Sequence, residues 1–215
     1  MAQEPNSAKS DARNSITLDL LTAIKEDSKI TQRSLSEQLG IALGLTNSYL
    51  KRCVKKGLIK ISMAPANRYA YYLTPQGLAE KSRLTKDYLT NSFQFYRVAR
   101  LNCDDVYDAC LAKNRRRILL AGPSDLGEIA TLCANNKTVS LMGVFTMEAR
   151  EDNFNGLPVF TTLPQPSEFD AIMITDLNDP AGYYRALAQQ VDPSLLVAPS
   201  LLGDISTSEP ELEED

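Results

Sequence analysis

The chain has 215 residues, 43% of them hydrophobic, which exceeds the usual size of one domain and is enough for more than one buried core. Its net charge of -4 hides a division: residues 1–100 carry 16 Lys and Arg against 8 Asp and Glu, whereas residues 101–215 carry 7 against 19. A basic half steers toward phosphate backbones and an acidic half away from them, while the absence of histidine excludes Ser-His and Cys-His nucleophile activation and His metal sites.

Residues 1–14 are polar, lack the apolar stretch of a secretion signal, and are expected to be disordered. No run of about 18 apolar residues occurs anywhere, so the expectation is a cytoplasmic protein with no membrane segment. From Ser15 to Glu26, Ile16, Leu20, Leu21 and Ile24 fall on one side and open a domain spanning residues 15–78. A short helix, Thr31 to Leu39, precedes a turn at Gly40, and a second helix runs to Lys56 and is stopped by Gly57. A hairpin follows, with strands Leu58 to Ile61 and Arg68 to Leu73 flanking Ala64-Pro65-Ala66-Asn67, where proline and asparagine suit a turn. Thr74 and Pro75 then read as N-cap and first residue of a further helix.

This order is that of a winged helix-turn-helix, whose second helix buries one face and presents the other to a DNA groove. Thr46, Leu50, Cys53 and Val54 form the inner stripe, and Asn47, Ser48, Lys51, Arg52 and Lys55 the outer one. Asn and Arg suit adenine and guanine edges, Ser can donate or accept, and Lys51 or Lys55 can neutralise phosphates. The candidate DNA-binding set is therefore Thr31, Arg33, Asn47, Ser48, Lys51, Arg52, Lys55, Asn67 and Arg68. The alternative for the same charges is a solvated amphipathic surface helix.

Three stretches carry a family resemblance: Leu35-Ser36-Glu37-Gln38-Leu39-Gly40-Ile41, Leu45-Thr46-Asn47-Ser48-Tyr49-Leu50-Lys51-Arg52, and Lys56-Gly57-Leu58-Ile59, joined by Tyr72-Leu73-Thr74-Pro75-Gln76-Gly77-Leu78. In these the chain resembles the MarR-type winged-helix transcriptional regulators, in particular a subgroup associated with exopolysaccharide gene clusters. The resemblance implies a homodimer on double-stranded DNA, with the second helix in the major groove and the wing near the minor groove. The chain departs from it at Ala42-Leu43-Gly44, which offers no side-chain cap, so base reading is expected to begin at Asn47.

Residues 79–114 form a linker and dimerisation region, one long helix or two in succession. A continuous helix from Pro75 to Arg100 would span about 39 Å, too long for the small domain to cover, and its aromatics need either a partner copy or the rest of the chain. Dimerisation through it would set two recognition helices about 34 Å apart, one DNA turn. Cys53, Cys103, Cys110 and Cys133 lack metal-ligand spacing and read as buried thiols, with a redox pairing of Cys103 and Cys110 as the alternative.

Residues 115–203 alternate strand and helix: Arg117 to Ala121, Val139 to Phe145, Ala171 to Thr175 and Leu195 to Ala198 are apolar runs, with helices Asp125 to Asn135 and Pro180 to Gln190 between them and a short strand at Leu157 to Phe160. The layout resembles the Rossmann-like modules of Rex-type redox repressors and of the N-terminal domains of sugar acetyltransferases. Its turn reads Gly122-Pro123-Ser124-Asp125-Leu126-Gly127, in which Ser124 replaces the central glycine, Pro123 removes a donor and Asp125 sits where a phosphate would lie. The second strand ends Val144-Phe145-Thr146 without the acid expected for a ribose, so no cofactor is expected. A small-molecule effector at the strand ends, near Gly122, Ser124, Gly127, Thr146 and Asp176, stays open, although Asp176 reads first as a cap for the next helix. Residues 204–215 form an acidic tail expected to be disordered.

The fold expected is α/β: an N-terminal winged helix-turn-helix, a long linker helix and a C-terminal Rossmann-like parallel sheet. The function expected is a dimeric, sequence-specific DNA-binding transcriptional regulator, not an enzyme, whose C-terminal domain is a sensor or scaffold and whose targets include polysaccharide biosynthesis genes. The alternative is a nucleotide- or nucleotide-sugar-binding enzyme, or an enzyme partner, using the winged helix for protein contacts.

Overall fold

The computed structural model describes residues 5–64, 68–148 and 153–206; the side chains of residues 5–11, 64 and 68 lie outside that description. The chain divides into two compact units, Met1–Phe93 and Gln94–Asp215. Among the described residues no helix is long and apolar enough to cross a membrane.

The first unit contains α1 (Pro5–Glu26), α2 (Gln32–Leu39), α3 (Leu43–Lys55) and an antiparallel hairpin of β1 (Ile59–Ala64) and β2 (Arg68–Leu73). Apolar periodicity starts only at Ser15, yet α1 starts at Pro5. Proline fits a first helical turn, and Ala8, Lys9, Ala12 and Arg13 favour helix without any apolar stripe. Helix therefore replaces the expected disorder over residues 5–14, and residues 1–4 lie outside the described part. Leu20, Leu21 and Ile24 of α1 meet Leu35 of α2, Leu50 and Cys53 of α3, and Ile59 and Tyr71 of the hairpin in one core. Burying a side chain of this size is worth roughly 1.5–3 kcal/mol, so this core sets the angle between α2 and α3. The Tyr71 N–H also donates to the Ser28 carbonyl at 2.8 Å, which fixes the hairpin to the loop after α1.

The region after the hairpin is one helix, α4 (Pro75–Ala112). Thr74 caps it by accepting from the Gly77 N–H at 3.0 Å, as proline at the first position leads one to expect.

The second unit holds a six-stranded sheet of β3 (Arg117–Ala121), β4 (Ser140–Phe145), β5 (Asn153–Phe154), β6 (Leu157–Phe160), β7 (Ala171–Ile174) and β8 (Leu196–Val197), in the order β5-β6-β4-β3-β7-β8. All pairings are parallel except β5 with β6. Helices α5 (Asp125–Ala134) and α6 (Pro180–Ala188) connect strands. The unbroken apolar runs have a direct cause, since both faces of the sheet are covered. Ile118, Leu120, Val144 and Met173 pack with Ala99, Cys103 and Tyr107 of α4 and with Leu126 and Ile129 of α5. Leu119, Ala121, Phe145, Ile172 and Ile174 pack with Tyr183 and Leu187 of α6. Ile205 is buried on this second face, so the packed structure continues past residue 203, where the acidic tail was expected to begin; residues 207–215 lie outside the described part.

Candidate nucleic-acid interface

α2 and α3 owe their ends to local chemistry. Thr31 is the N-cap of α2, its hydroxyl accepting from the Ser34 N–H at 3.1 Å, and Gly40 closes the helix at φ 62°. α3 follows the N-cap Ala42, which has no side-chain acceptor, and ends in a paired motif: the Gly57 N–H donates to the Val54 carbonyl and the Leu58 N–H to the Cys53 carbonyl, both at 2.9 Å, with Gly57 at φ 70°.

Thr46, Leu50 and Cys53 are the buried stripe of α3, with Val54 half-buried beside them. Thr46 tolerates full burial because its hydroxyl donates to the Ala42 carbonyl at 3.2 Å. Ser48, Lys51, Arg52 and Lys55 are exposed, as the outer stripe requires. At the uncapped start, Leu43 and Leu45 are 46% and 44% exposed, an apolar pair suited to thymine methyl groups.

An open groove of about 590 Å³ lies between α3, α2 and the hairpin. Lys51 and Lys55 supply its charge, Gln32 and Asn47 its amides, and Ile61, Tyr69 and Tyr71 its apolar wall. The hairpin register explains the wall. Ile61 opposes Tyr71 and Met63 opposes Tyr69, so one face is wholly apolar or aromatic; its inner end, Ile59 and Tyr71, is buried, and its outer end, Met63 and Tyr69, is 73% and 58% exposed. Gln32 donates to the Tyr71 hydroxyl at 3.2 Å, fastening α2 to the hairpin. Periodicity counts along one helix could not reveal Gln32, Ile61 and Tyr69, because they reach the groove from other elements; the Tyr-rich strand was the available signal.

Asn47 departs from the simple outer-face reading. The residue is half-buried, and its amide oxygen is sealed from solvent with no hydrogen-bond donor among the described residues. A bidentate contact to adenine requires this amide to turn outward. Arg52 also separates from its neighbours: it is absent from the groove lining and faces a smaller cavity on the opposite flank of α3 with Arg13 and Lys56. Thr31 is engaged as a cap, and Arg33 is exposed on α2 with Glu37 at 3.8 Å. Arg68 opens β2, paired with Ala64, and Asn67 lies outside the described residues.

The edge of the second sheet is closed by its own groups. Gly122, at φ 100°, lies so close to the start of the next loop that an added Cβ would stand 2.6 Å from the Asp176 Cα. Ser124 caps α5 by accepting from the Leu126 N–H at 3.2 Å, and its hydroxyl donates to the Thr175 carbonyl. The Leu126 N–H is one that a bound phosphate would use. Gly127 packs under the same turn, where a Cβ would meet the Gly122 carbonyl at 3.3 Å. Thr146 is buried, with its hydroxyl 3.4 Å from that of Tyr183 and accepting from the Glu148 N–H at 3.2 Å. Asp176 does not cap α6; that is Asp179, which accepts from the Gly182 N–H at 2.8 Å. Asp176 instead accepts from the Asn178 and Asp179 N–H groups at 2.8 and 2.6 Å, organising the turn one step earlier.

All four cysteines are free and buried. Burial, followed by the nearby Cys133 and Asp104, pushes the Cys103 thiol up to about 12. Cys103 and Cys110 are two turns apart on an unbroken helix, about 10.5 Å of rise against a disulfide limit near 7 Å, so they cannot bridge.

A family model described as winged helix-turn-helix DNA-binding matches residues 13–60, which span most of α1, all of α2 and α3, and the start of the hairpin. No curated protein matches the sequence. The order of elements, the exposed cationic face of α3 and this match agree: the first unit carries a winged helix-turn-helix DNA-binding domain.

Proposed function

We propose that the protein is a sequence-specific transcriptional regulator of the MarR type that binds double-stranded DNA as a homodimer. The observation that carries this reading is α3, whose inner stripe is locked into the domain core while Ser48, Lys51 and Lys55 stand exposed beside the groove formed with the wing. Lys51 and Lys55 neutralise phosphates, Ser48 and a reoriented Asn47 meet base edges, and the apolar end of the wing lies along the sugar surface.

The dimer reading rests on α4. Leu89, Phe93 and Tyr96 recur at i, i+4 and i+7 and are 46%, 57% and 39% exposed, an apolar stripe that a second copy of the same helix would cover. Sedimentation of the intact protein is expected to give a dimer, and Phe93→Glu a monomer with weaker binding to palindromic DNA.

The second unit acts as a scaffold or sensor. Its parallel strands, taken in sequence order, lie 3-2-1-4-5, the arrangement of a doubly wound Rossmann-like sheet. Ser124 and Asp176 fill the place of a pyrophosphate, which favours a non-enzymatic role over nucleotide chemistry. The link to polysaccharide biosynthesis genes follows only from the family resemblance.

The deciding experiment is fluorescence anisotropy with labelled duplexes at low and moderate salt, followed by selection from a random pool. Binding that falls with salt and a selected palindromic sequence are expected, with Lys51→Ala and Lys55→Ala weakening all sequences alike. Folded protein that ignores DNA at low ionic strength sinks the reading.

A further inference from the structure

On the flank of α3 away from the wing lies a second cavity of about 40 Å³. α1 contributes Arg13, Asn14 and Thr17 to it, and the end of α3 contributes Arg52 and Lys56. At roughly 10–15 Å³ per water, this is room for about three waters: enough for a phosphate group, too little for a base or a sugar. Three cations thus converge, and among the described residues none of them forms a salt bridge. The carboxylate in the lining, Glu80, is already held by Arg83, whose Nε and Nη2 donate to it at 2.8 and 2.9 Å. Both Arg52 and Lys56 also act on the Cys53 thiol in the cavity wall, opposing the rise that burial causes there. Three like charges beside one carboxylate that already carries Arg83 leave a net positive charge, and an entering anion offsets it. Two guanidinium forks beside an ammonium match the oxygens of a phosphate.

We propose that Arg13, Arg52 and Lys56 form a clamp for one backbone phosphate of the bound duplex, so that Arg52 positions α3 and does not read a base. The proposal rests on the DNA-binding reading of the same domain. Successive residues of a helix point about 100° apart, so Lys51 and Arg52 diverge. A helix 10–12 Å across in a major groove about 12 Å wide has a phosphate wall on each side. Lys51 and Lys55 serve one wall, and the clamp serves the other.

The test measures affinity of the intact protein for a preferred and a scrambled duplex across a salt series, for wild type, Arg13→Gln, Arg52→Gln and Lys56→Gln, each checked for an unchanged melting profile. Each substitution is expected to weaken both duplexes equally and, because all three groups hold a single phosphate, to make log affinity less steep against log salt by no more than about one. Asn47→Ala, run beside them, is expected to narrow the gap between the duplexes instead. A second arm titrates inorganic phosphate into DNA-free protein and follows thermal protection. Unchanged salt slopes together with Arg13-dependent protection would assign the cavity to a free phosphate and overturn the backbone clamp. Unchanged slopes without protection overturn the site altogether. Loss of discrimination in Arg52→Gln makes Arg52 a reader and overturns the clamp while leaving DNA binding intact. Failure of the wild-type protein to bind DNA removes both readings together.

Discussion

The Thr74 hydroxyl donates to the Gly57 carbonyl at 2.6 Å, and its oxygen accepts from the Gly77 N–H at 3.0 Å. One side chain thus joins the end of α3 to the start of α4 across the base of the wing. The Thr74 N–H adds a bond to the Leu58 carbonyl at 3.0 Å, so the junction is held by backbone and side chain together. Thr74→Ala keeps the backbone bond and loses the cap. It is expected to cost about 1–2 kcal/mol in urea unfolding, and Thr74→Ser to recover most of this. Equal midpoints for Thr74→Ala and wild type would show that the hydroxyl contributes nothing.

Ala42 offers the opposite experiment. It holds φ -57° and ψ 140°, close to the extended geometry of the true N-cap Thr31, yet it has no acceptor for the first turn of α3. Ala42→Ser is expected to stabilise the domain by about 0.5–1 kcal/mol. A denaturant midpoint at or below that of wild type would refute this.

Tyr107 is fully buried in the second unit and donates to the Ala130 carbonyl at 2.8 Å. Burial drives its ionisation far above the usual tyrosine range, so it stays a donor at any working pH. Tyr107→Phe preserves shape and removes the donor; the Ala130 carbonyl keeps its helix bond, so the expected loss is about 1 kcal/mol by chemical denaturation.

Asp170 shapes the response to acid. Hydrogen bonds from the Arg117 guanidinium, at 2.7 Å, and from the Arg117 and Arg116 N–H groups, at 2.8 and 2.9 Å, hold its carboxyl well below the usual range. A depressed native pKa gives stability that is present above the unfolded carboxylate value, about 3.9, and is lost as pH falls through the native one. Melting temperature is therefore expected to drop on acidification below about pH 4, and Asp170→Asn to flatten that limb. Parallel pH profiles for the two proteins would remove Asp170 from the account.

Much of this architecture is readable from residue order, and particular residues show why. Gly57 stops α3 because only a left-handed residue completes the paired motif there, and Thr74-Pro75 starts α4 by cap chemistry confined to a few residues. The apolar strands announce themselves because both faces of their sheet are buried. The helical extension of α1 to Pro5 is invisible to apolar periodicity because Ala8 and Ala12 alone make no apolar stripe in it. The division of Lys51 from Arg52 depends on which neighbours flank α3, Tyr69 on one side and Arg13 on the other, and these are distant in sequence. Gly122 has the same limit. The residue type calls for close backbone approach, but only the folded chain reveals that the approaching backbone is that of Asp176 and not a ligand.

The six-stranded sheet ends on both sides in strands of two residues, Asn153–Phe154 and Leu196–Val197. A rim so short gives a foreign strand almost no ladder to extend, so this sheet resists edge-to-edge stacking. Self-recognition by this second unit is thereby left to side chains on helices, where a single change of residue can tune or abolish it.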